Sequence, residues 1–233
     1  IPARMASTRF PDKPMALING KPMIQRVWEQ AIASKLGDVI VACSEKEVLE
    51  CIISLGGNAI LTDPNLPSGT DRVFEAIKNK NNINQFDSII NLQCDLPVID
   101  PQDIVKVNIP LLQGFEVGTL VTKLTNDQMN DSNVTKAKVN WIKKNLIGQA
   151  LDFYKTSVEE KNNVYHHVGI YSFRFETLKK FVSLSPSKNE IDLKLEQWRA
   201  LDAKMTIGVS YVKDVPISVD TKEDLIKIEK ITK

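Results

Sequence analysis

The sequence predicts an α/β fold in which a β-rich half is inserted into a largely parallel sheet. Apolar runs alternate with helical patterns over residues 1–114, the order that gives a parallel sheet with helices on both faces. Beyond that point extended runs predominate. Since no linker separates the parts, we expect a single domain, 1–233, made of a first half, 1–114, an inserted β-rich half, 115–212, and a returning segment, 213–233.

The first half contains clear strand and helix patterns. Residues 1–3 resemble the end of a strand, and because the chain starts at Ile1 rather than Met, we expect most of that strand to lie in a missing N-terminal piece. Gly56 and Gly57 close one helix, and the Ser68 hydroxyl can begin another. Helices are predicted at 22–34, 45–55, 68–77 and 101–112, and strands at 38–43, 58–61 and 88–92.

The β-rich half and the returning segment supply the remaining predicted elements. Asn145 is a turn residue between two strands, and the polar stretch 125–133 is a loop. Strands are predicted at 117–124, 136–142, 146–151, 165–173 and 205–212, and helices at 175–182, 190–203 and 221–231.

The composition is that of an ordinary globular protein. Of 233 residues, 42% are hydrophobic and 25% are charged. A formal net charge of +1 argues against a general nucleic-acid or membrane surface. The apolar runs fall far short of the ~20 residues needed to span a bilayer, and no signal-peptide pattern is visible. We therefore expect no nucleic-acid partner and no membrane insertion.

The three cysteines, Cys43, Cys51 and Cys94, are odd in number, and their spacing fits neither a metal site nor a disulfide framework. This usage indicates a reducing cytosol, so we expect a cytoplasmic protein. Cys43 and Cys51 are predicted to be small core residues. Cys94 has no paired histidine nearby in the sequence, and we assign it no nucleophilic role.

The most informative feature is Asp95, which follows the apolar strand predicted at 88–92 and precedes Pro97. In open α/β sheets, ligands bind beyond the carboxyl ends of the strands. A carboxylate at such a position is well placed to hold Mg²⁺ against a phosphate. A turn aspartate that caps the following segment is the alternative explanation.

The opening segment is rich in cations and prolines. Arg4, Arg9 and Lys13 lie among three prolines that limit the freedom of the loop, so they can converge on a polyanion. The chain contains neither a Walker phosphate loop nor a dinucleotide fingerprint. On composition alone, a solvated basic turn is the better explanation of the segment.

Two further segments carry polar residues at positions suited to binding. Ser68 and Thr70 lie where a helix begins and where free N–H groups bind anions, although a plain helix cap also explains them. His166 and His167 are adjacent on a predicted strand and point to opposite faces, so we expect one to be functional and the other exposed. That geometry argues against a metal site built from both.

Asp220 is a second carboxylate, and it lies directly before the predicted terminal helix. Helix capping alone would explain it. Asp95 and Asp220 together can chelate Mg²⁺, which prefers hard oxygen ligands. With Arg4 and Lys13 on a triphosphate, the expected chemistry is nucleotidyl transfer, in which a metal-activated hydroxyl attacks the α-phosphorus and pyrophosphate leaves in line. Catalysis then consists of positioning and charge neutralisation.

Seven segments, in order along nearly the whole chain, resemble the 3-deoxy-manno-octulosonate (Kdo) cytidylyltransferases, also called CMP-Kdo synthetases. They are Pro-Ala-Arg-x-x-Ser-Thr-Arg-x-Pro-x-Lys-Pro at 2–14, Asn-Gly-Lys-Pro-Met-Ile at 19–24, Ser-Gly-Thr-Asp-Arg at 68–72, Gln-x-Asp-x-Pro at 93–97, His-Val-Gly-Ile-Tyr at 167–171, Leu-Glu-Gln-x-Arg at 195–199 and Val-Asp-Thr-x-Glu-Asp-Leu at 219–225. Each motif is weak alone, but seven in order are a specific match.

The resemblance implies a cytosolic, Mg²⁺-dependent enzyme that joins CTP to Kdo, giving CMP-Kdo and pyrophosphate for lipopolysaccharide synthesis. It also implies a Rossmann-like mixed sheet of the nucleotide-sugar transferase type and a homodimer formed through the β-rich half. On this basis 1–114 is mainly the nucleotide-binding half, 115–212 binds the sugar acid and dimerises, and 213–233 returns to the metal site.

Motif positions carry the family's residue roles onto this chain. Lys13, Asp95 and Asp220 are implied to be catalytic, and the two aspartates to bind Mg²⁺. The implied nucleotide-binding residues are Arg4, Ser7, Lys13, Ala42, Cys43, Ser44, Ser68 and Gly69. The implied sugar-acid-binding residues are Arg72, Gln93, His167, Glu196 and Gln197.

Four positions depart from the family pattern. Cys94 stands in place of a glycine and would crowd the backbone if that position needs a positive φ. Leu96 replaces a glutamate, which removes an outer partner of the metal site. Lys155 replaces an arginine and keeps the charge without the bidentate fork. His166 stands where Lys or Arg is common.

Two alternatives remain open. One is a related cytidylyltransferase for another sugar acid, such as a sialic acid, which would share the opening loop but would not be expected to keep the motifs at 195–199 and 219–225. The other is a catalytically silent nucleotide-binding or scaffold protein, which Cys94 and Leu96 would favour.

Overall fold

The chain forms a three-stranded parallel sheet, a six-stranded mixed sheet and a two-stranded hairpin. The computed structural model describes residues 1–6, 10–80, 85–157 and 162–232. Its contacts divide the chain into a first unit, Ile1–Ile83 with Asn91–Val105 and Pro216–Lys233, and a second unit, Asn84–Ile90 with Lys106–Val215. This division does not test the expectation of a single domain, which stays a prediction.

The elements up to the end of the third long helix belong to the first unit. In chain order they are β1 (Pro2–Ala3), a 3-10 turn (Lys13–Met15), β2 (Leu17–Ile18), β3 (Lys21–Pro22), α1 (Met23–Ala33), β4 (Ile40–Cys43), α2 (Lys46–Ser54), β5 (Asn58–Leu61) and α3 (Gly69–Ile77).

The later elements are mostly strands, as expected. They are β6 (Ile89–Asn91), α4 (Pro101–Lys106), α5 (Ile109–Leu112), β7 (Val117–Lys123), α6 (Asn126–Met129), β8 (Lys136–Lys143), β9 (Ile147–Tyr154), β10 (Val164–Phe173), α7 (Phe175–Ser183), α8 (Lys188–Leu193), α9 (Gln197–Asp202), β11 (Ile207–Tyr211) and α10 (Lys222–Ile231). The predicted α/β class with a β-rich half is confirmed.

Local sequence chemistry explains the elements of the first unit. The parallel sheet has the order β1-β4-β5, and residues 2–3 do form a strand. Gly56, with φ of +78°, follows α2 in the left-handed conformation predicted for its end. The Ser68 hydroxyl accepts the backbone N–H groups of Thr70 and Asp71, so the predicted start of α3 is confirmed.

The terminal helix α10 is fixed to the first unit by a small apolar core. Phe10, Ile18 and Met23 pack with Val219 and Ile228, and all five are buried. Val219 precedes Asp220 and Ile228 lies within α10, and both belong to this core. The segment that carries Asp220 is therefore fixed by buried residues before and after it.

The sheet of the second unit closes on itself. Its order is β6-β10-β7-β11-β9-β8, and β10 also pairs with β8. Five strands, β7 to β11, therefore form a ring, with β6 added at the side of β10. Closure removes unpaired edges from these strands. The pairing of β11 with β7 is parallel, which makes the sheet mixed.

Three predicted elements differ from the structure. The helix predicted at 101–112 is divided into α4 and α5, because Pro110 has no N–H to continue a single helix. The helix predicted at 190–203 is divided into α8 and α9 at Lys194, which has a left-handed φ of 54°. The predicted loop at 125–133 contains α6, which begins where Gln128 Oε1 accepts the Thr125 backbone N–H at 3.1 Å.

Within the described part of the chain, every helix is too short or too polar to cross a bilayer.

Candidate active site

A lysine bridges the two predicted metal-binding carboxylates in the first unit. The ammonium nitrogen of Lys13 donates to Asp95 Oδ2 at 3.1 Å and to Asp220 Oδ1 at 3.2 Å. The exposed fractions of the three side chains are 12% for Lys13, 25% for Asp95 and 35% for Asp220. Two acids that are 125 positions apart in sequence thus share one cation in a partly water-excluded place.

Main-chain contacts bring these residues together. The Val219 N–H donates to the Asp95 carbonyl at 2.9 Å, which joins the segment after β6 to the segment before α10. Thr221 caps α10 by accepting the Asp224 N–H at 3.2 Å, and this fixes the residue that follows Asp220. Lys13 opens a 3-10 turn whose next residue is Pro14, so its backbone is also restrained.

The electrostatics of the cluster favour a charged lysine. Burial lowers the pKa of Lys13, but the negative charge nearby, led by Asp95, outweighs it, and the pKa is raised above its ordinary value. Burial, followed by the charge of Asp95, raises the pKa of the Cys94 thiol to about 12. Cys94 is therefore neutral near pH 7, and the compensating charges for Lys13 are the two carboxylates.

The departures at positions 94 and 96 are accommodated. Cys94 is not among the described residues with a positive φ, so the condition under which it would crowd the backbone is not met. Leu96 is 5% exposed and so is packed rather than pointed into solvent. The side chains on either side of Asp95 are thus compatible with the local fold.

The donor set fits a magnesium ion. Among the described residues, no group of three or more His, Cys, Asp or Glu side chains is arranged to hold a metal. Mg²⁺ is commonly bound in proteins by one or two carboxylates, with substrate phosphates and water completing its shell. Asp95 and Asp220, already paired around a cation, match that pattern.

The predicted nucleotide-binding residues of the first unit are distributed over three segments. Arg4 is exposed after β1, and Ser7 lies outside the described residues. Ala42 and Cys43 are buried in β4. Ser44 follows that strand, and its hydroxyl donates to Glu45 Oε1 at 2.8 Å.

Ser68 and Gly69 lie at the start of α3. The Ser68 hydroxyl donates to Asp71 Oδ2 at 2.7 Å in addition to capping the helix, and both contacts agree with the capping explanation. A Cβ on Gly69 would lie 3.3 Å from Pro2 Cγ, closer than most such contacts. The small residue thus lets α3 begin close to β1.

Arg72 and Gln93 are predicted to bind the sugar acid, and both have partners within the first unit. Arg72 is only 2% exposed, and its guanidinium donates to the Thr62 hydroxyl and to the Asp63 carbonyl. Gln93 Nε2 donates to Asn91 Oδ1 at 2.9 Å. Arg72 is therefore fixed to the segment that follows β5, while Gln93 extends a polar chain from the end of β6.

The two histidines of the second unit both occupy low-dielectric positions. His167 is 6% exposed, with Nε2 3.0 Å from the Thr119 hydroxyl, and burial followed by the charge of His166 lowers its pKa to about 3. His166 is half-buried, so the expectation of an exposed histidine is wrong. His166 pairs with Thr122 of β7 and with Lys136 of β8, so it lies inside the sheet rather than at its edge, and its Nδ1 is buried.

Glu196 and Gln197 line a small cavity of the second unit together with Tyr171 and Phe173. The Tyr171 hydroxyl donates to Gln197 Oε1 at 3.2 Å. Gln197 Nε2 is buried and has no hydrogen-bond partner among the described residues. A buried amide with one end satisfied and the other open is a donor available to a bound molecule.

Sequence reasoning missed three features of the candidate site residues: the contacts of Asn91, the contact of Tyr171 and the main-chain hydrogen bond between Val219 and Asp95. Asn91 Nδ2 donates to Thr70 Oγ1 at 3.0 Å and accepts from Gln93, so it connects the end of β6 to α3. Its polar side chain at the end of an apolar run was the available indication. Tyr171 belongs to the motif at 167–171, but the motif assigns it no role. The hydrogen bond between the Val219 N–H and the Asp95 carbonyl joins main-chain atoms, so no residue type in the sequence indicates it.

Comparison with known proteins shows the family of the chain. A family model described as cytidylyltransferase matches residues 1–207. The 3-deoxy-manno-octulosonate cytidylyltransferase of Paramagnetospirillum magneticum is 44% identical over 236 residues, covering 100% of this chain and 96% of the relative. That of Rhodospirillum centenum is 42% identical, covering 97% of this chain and 89% of the relative.

Solved structures are similar along the whole chain. CMP:2-keto-3-deoxy-manno-octonic acid synthetase complexed with CTP has a TM-score of 0.88 at 31% identity, with 99% of this chain and 95% of that chain covered. A UDP-glucose pyrophosphorylase complexed with UDP-glucose has a TM-score of 0.67 at 13% identity, covering 99% of this chain and 97% of that chain, which indicates a shared fold alone. The chain therefore belongs to the cytidylyltransferase family and, within it, to the 3-deoxy-manno-octulosonate cytidylyltransferases.

Proposed function

We propose that the protein transfers CMP from CTP to Kdo, giving CMP-Kdo and pyrophosphate for lipopolysaccharide biosynthesis. One observation supports the chemistry above all: Lys13 joins Asp95 and Asp220 in a single charged cluster. The acceptor is inferred from the relatives, which are named for Kdo and match this chain over nearly its full length.

The first unit supplies the charge that nucleotidyl transfer requires. The Kdo hydroxyl attacks the α-phosphorus of CTP, the bond to the pyrophosphate oxygen breaks, and pyrophosphate leaves. Arg4 and Lys13 are proposed to bind the triphosphate and to offset the negative charge on the leaving pyrophosphate. Asp95 and Asp220 would hold Mg²⁺, which when bound neutralises phosphate charge and polarises the reacting oxygens.

The nucleoside of CTP is proposed to contact the segments after β4 and before α3. Ala42, Cys43 and Ser44 lie at the carboxyl end of a parallel strand, the end at which ligands bind in α/β sheets. Ser68 and Gly69 begin α3, whose small residue allows a close approach to its backbone. Ser7 is proposed from its motif position alone.

The sugar acid is proposed to be bound by neutral donors as well as by charge. Gln197 Nε2 is a buried donor without a partner among the described residues, suited to a hydroxyl or carboxylate oxygen. His167 is neutral at physiological pH because its pKa is lowered to about 3. Glu196 of the second unit, and separately Arg72 and Gln93 of the first unit, are proposed from their motif positions.

A homodimer and a cytoplasmic location are part of the proposal. Support for the dimer comes from exposed apolar side chains in the second unit, of which Ile142 is 69% exposed and Leu151 49% exposed. Light scattering after gel filtration should give about twice the 26.2 kDa chain mass. Alanine at both positions should shift the protein toward the monomer, and a monomeric wild type would contradict this part.

A pyrophosphate-release assay tests the function. The protein is incubated with CTP, Mg²⁺ and Kdo, and parallel reactions replace Kdo with sialic acid and CTP with UTP. Release with Kdo and CTP is the expected result. Release with sialic acid and not with Kdo would assign a different acceptor, and no release with any acceptor would support a silent nucleotide-binding protein.

A further inference from the structure

The Lys13 ammonium lies between the two carboxylates that are proposed to bind the metal. Its ammonium is within hydrogen-bond distance of one oxygen of Asp95 and one of Asp220. Mg²⁺ binds carboxylate oxygens at about 2.0–2.1 Å. An ammonium and Mg²⁺ cannot both occupy the space between the same two carboxylates, since two cations there would repel strongly and compete for the same oxygens.

We propose that Lys13 is an exchangeable internal counter-ion. Before metal binds, it holds Asp95 and Asp220 together, and when Mg²⁺ takes their oxygens it is released toward the triphosphate. This inference rests on the proposed function, in which the two aspartates bind Mg²⁺. By linkage, metal binding then favours nucleotide binding through one side chain, and nucleotide binding favours metal binding to the same degree.

The surroundings of Lys13 suit a side-chain exchange without backbone movement. Lys13 belongs to a 3-10 turn in which the Met15 N–H donates to the Asp12 carbonyl at 2.9 Å, and Pro14 restricts the turn further. The Val219 N–H donates to the Asp95 carbonyl, which fixes the segments that carry the carboxylates. The flexible lysine stem is therefore the part free to rotate, and its ammonium binds as a point charge without fixed geometry.

A permanent structural ion pair makes the opposite prediction. If Lys13 is needed to keep the carboxylates in place, its removal should separate them by mutual repulsion and weaken metal binding. If Lys13 competes with the metal, its removal should strengthen metal binding. The sign of the change in Mg²⁺ affinity thus separates the two explanations.

The experiment is an Mg²⁺ titration by calorimetry, without nucleotide, of the wild type and Lys13→Met. Lys21→Met is the matched control, since Lys21 forms an exposed pair with Glu29 in the same unit. Lys13→Met should bind Mg²⁺ about tenfold or more tightly than the wild type, and Lys21→Met should match the wild type. Lys13→Gln, which keeps a hydrogen-bond donor without the charge, should also bind more tightly and provides a second variant if the first does not fold.

Thermal unfolding gives a readout independent of turnover. Without metal, Lys13→Met should have a lower melting temperature than the wild type, because two half-buried carboxylates lose their cation. Saturating Mg²⁺ should raise the melting temperature of this variant more than that of the wild type. Equal Mg²⁺-induced shifts in the two proteins would overturn the inference.

A structure of the wild type with Mg²⁺ and without nucleotide tests the displacement itself. Lys13 should no longer contact both carboxylates, and retention of both contacts beside a bound ion would overturn the inference. Mg²⁺ binding by Lys13→Met that is equal to or weaker than that of the wild type would also overturn it. If the Asp95→Asn and Asp220→Asn variants bind Mg²⁺ as tightly as the wild type, the metal assignment of the proposed function is wrong as well. If these variants bind Mg²⁺ more weakly and Lys13→Met does not bind it more tightly, only the exchange is wrong.

Discussion

Two polar clusters, one in each unit, are stabilised in different ways. In the first unit, Lys13 and two aspartates compensate one another as charges. In the second unit, His167 and Gln197 are buried and Tyr171 is half-buried, all three are neutral, and Gln197 has an unused donor among the described residues. The first arrangement suits the charge of a triphosphate and a metal, while the second suits the hydroxyl groups of a sugar. We therefore propose electrostatic catalysis for the first cluster and contact with the acceptor for the second.

Removing either carboxylate should have the largest effect. Asp95→Ala or Asp220→Ala should lower Mg²⁺-dependent pyrophosphate release by about 100-fold or more, because a carboxylate proposed to hold the Mg²⁺ is lost. Asp38→Ala, at an exposed position of the first unit, is the control and should keep full activity. Circular dichroism should show all three variants folded, and turnover retained by either active-site variant would refute its role.

Changing the neutral donor should affect the acceptor and not the nucleotide. Gln197→Ala should raise KM for Kdo by about tenfold, the loss expected for one buried hydrogen bond, and leave KM for CTP unchanged. Tyr171→Phe should have a smaller effect of the same kind, since it removes only the partner of Gln197 Oε1.

The double variant of Tyr171 and Gln197 sharpens this test. If Tyr171 acts by orienting Gln197, the phenylalanine substitution should change KM for Kdo little once Gln197 is alanine. Independent, multiplicative effects would show that the tyrosine acts separately. A parallel rise in KM for CTP would show that these two residues do not act on the acceptor alone.

The buried histidines should make the protein less stable in acid. Burial lowers the pKa of His166 to about 4 and that of His167 to about 3, whereas both are near 6.5 in the unfolded chain. Between these values the unfolded state binds more protons, so stability falls as pH decreases below about 6.5. The loss should be of order 2 kcal/mol for each histidine, or about 4 kcal/mol for the two, at pH 5 relative to pH 7.5.

Urea unfolding at the two pH values measures this loss. His166→Asn should reduce the difference between pH 7.5 and pH 5, because one titrating group is removed. A pH dependence that is unchanged in the variant would show that other groups are responsible.

Restoring the family's glycine should have the smallest effect. Cys94 does not have a positive φ and its thiol is neutral, so Cys94→Gly should keep activity within about threefold of the wild type. It should lower stability by about 0.5–1 kcal/mol because glycine is more flexible in the unfolded chain. A large gain in kcat would instead show that Cys94 lowers the activity of the cluster formed by Lys13, Asp95 and Asp220.

Elements with local determinants could be predicted from sequence. The strand at 58–61 has the predicted bounds, and α3 starts at the predicted Ser68 cap. The interruption at Lys194 could not be predicted, because lysine has no preference for the left-handed conformation it adopts there. Closure of the second sheet depends on the pairing of β10 with β8, which is a long-range contact without a local pattern.

In the candidate site too, the sequence indicated individual residues but not the long-range contacts between them. A carboxylate after a strand and another before a helix were recognisable positions, and the motifs linked them to Lys13. That the lysine lies between both acids depends on packing of the terminal segment against Phe10, Ile18 and Met23, which sequence periodicity does not specify. The half-buried His166 was missed for a similar reason, since its position inside the sheet depends on long-range pairing with β7 and β8.

A crystal structure with CTP and Mn²⁺, located by its anomalous scattering, tests the shared metal site most directly. The ion should lie about 2.0–2.2 Å from oxygens of both Asp95 and Asp220 and contact the triphosphate. An ion bound to the nucleotide with either aspartate outside its coordination shell would contradict the two-carboxylate site.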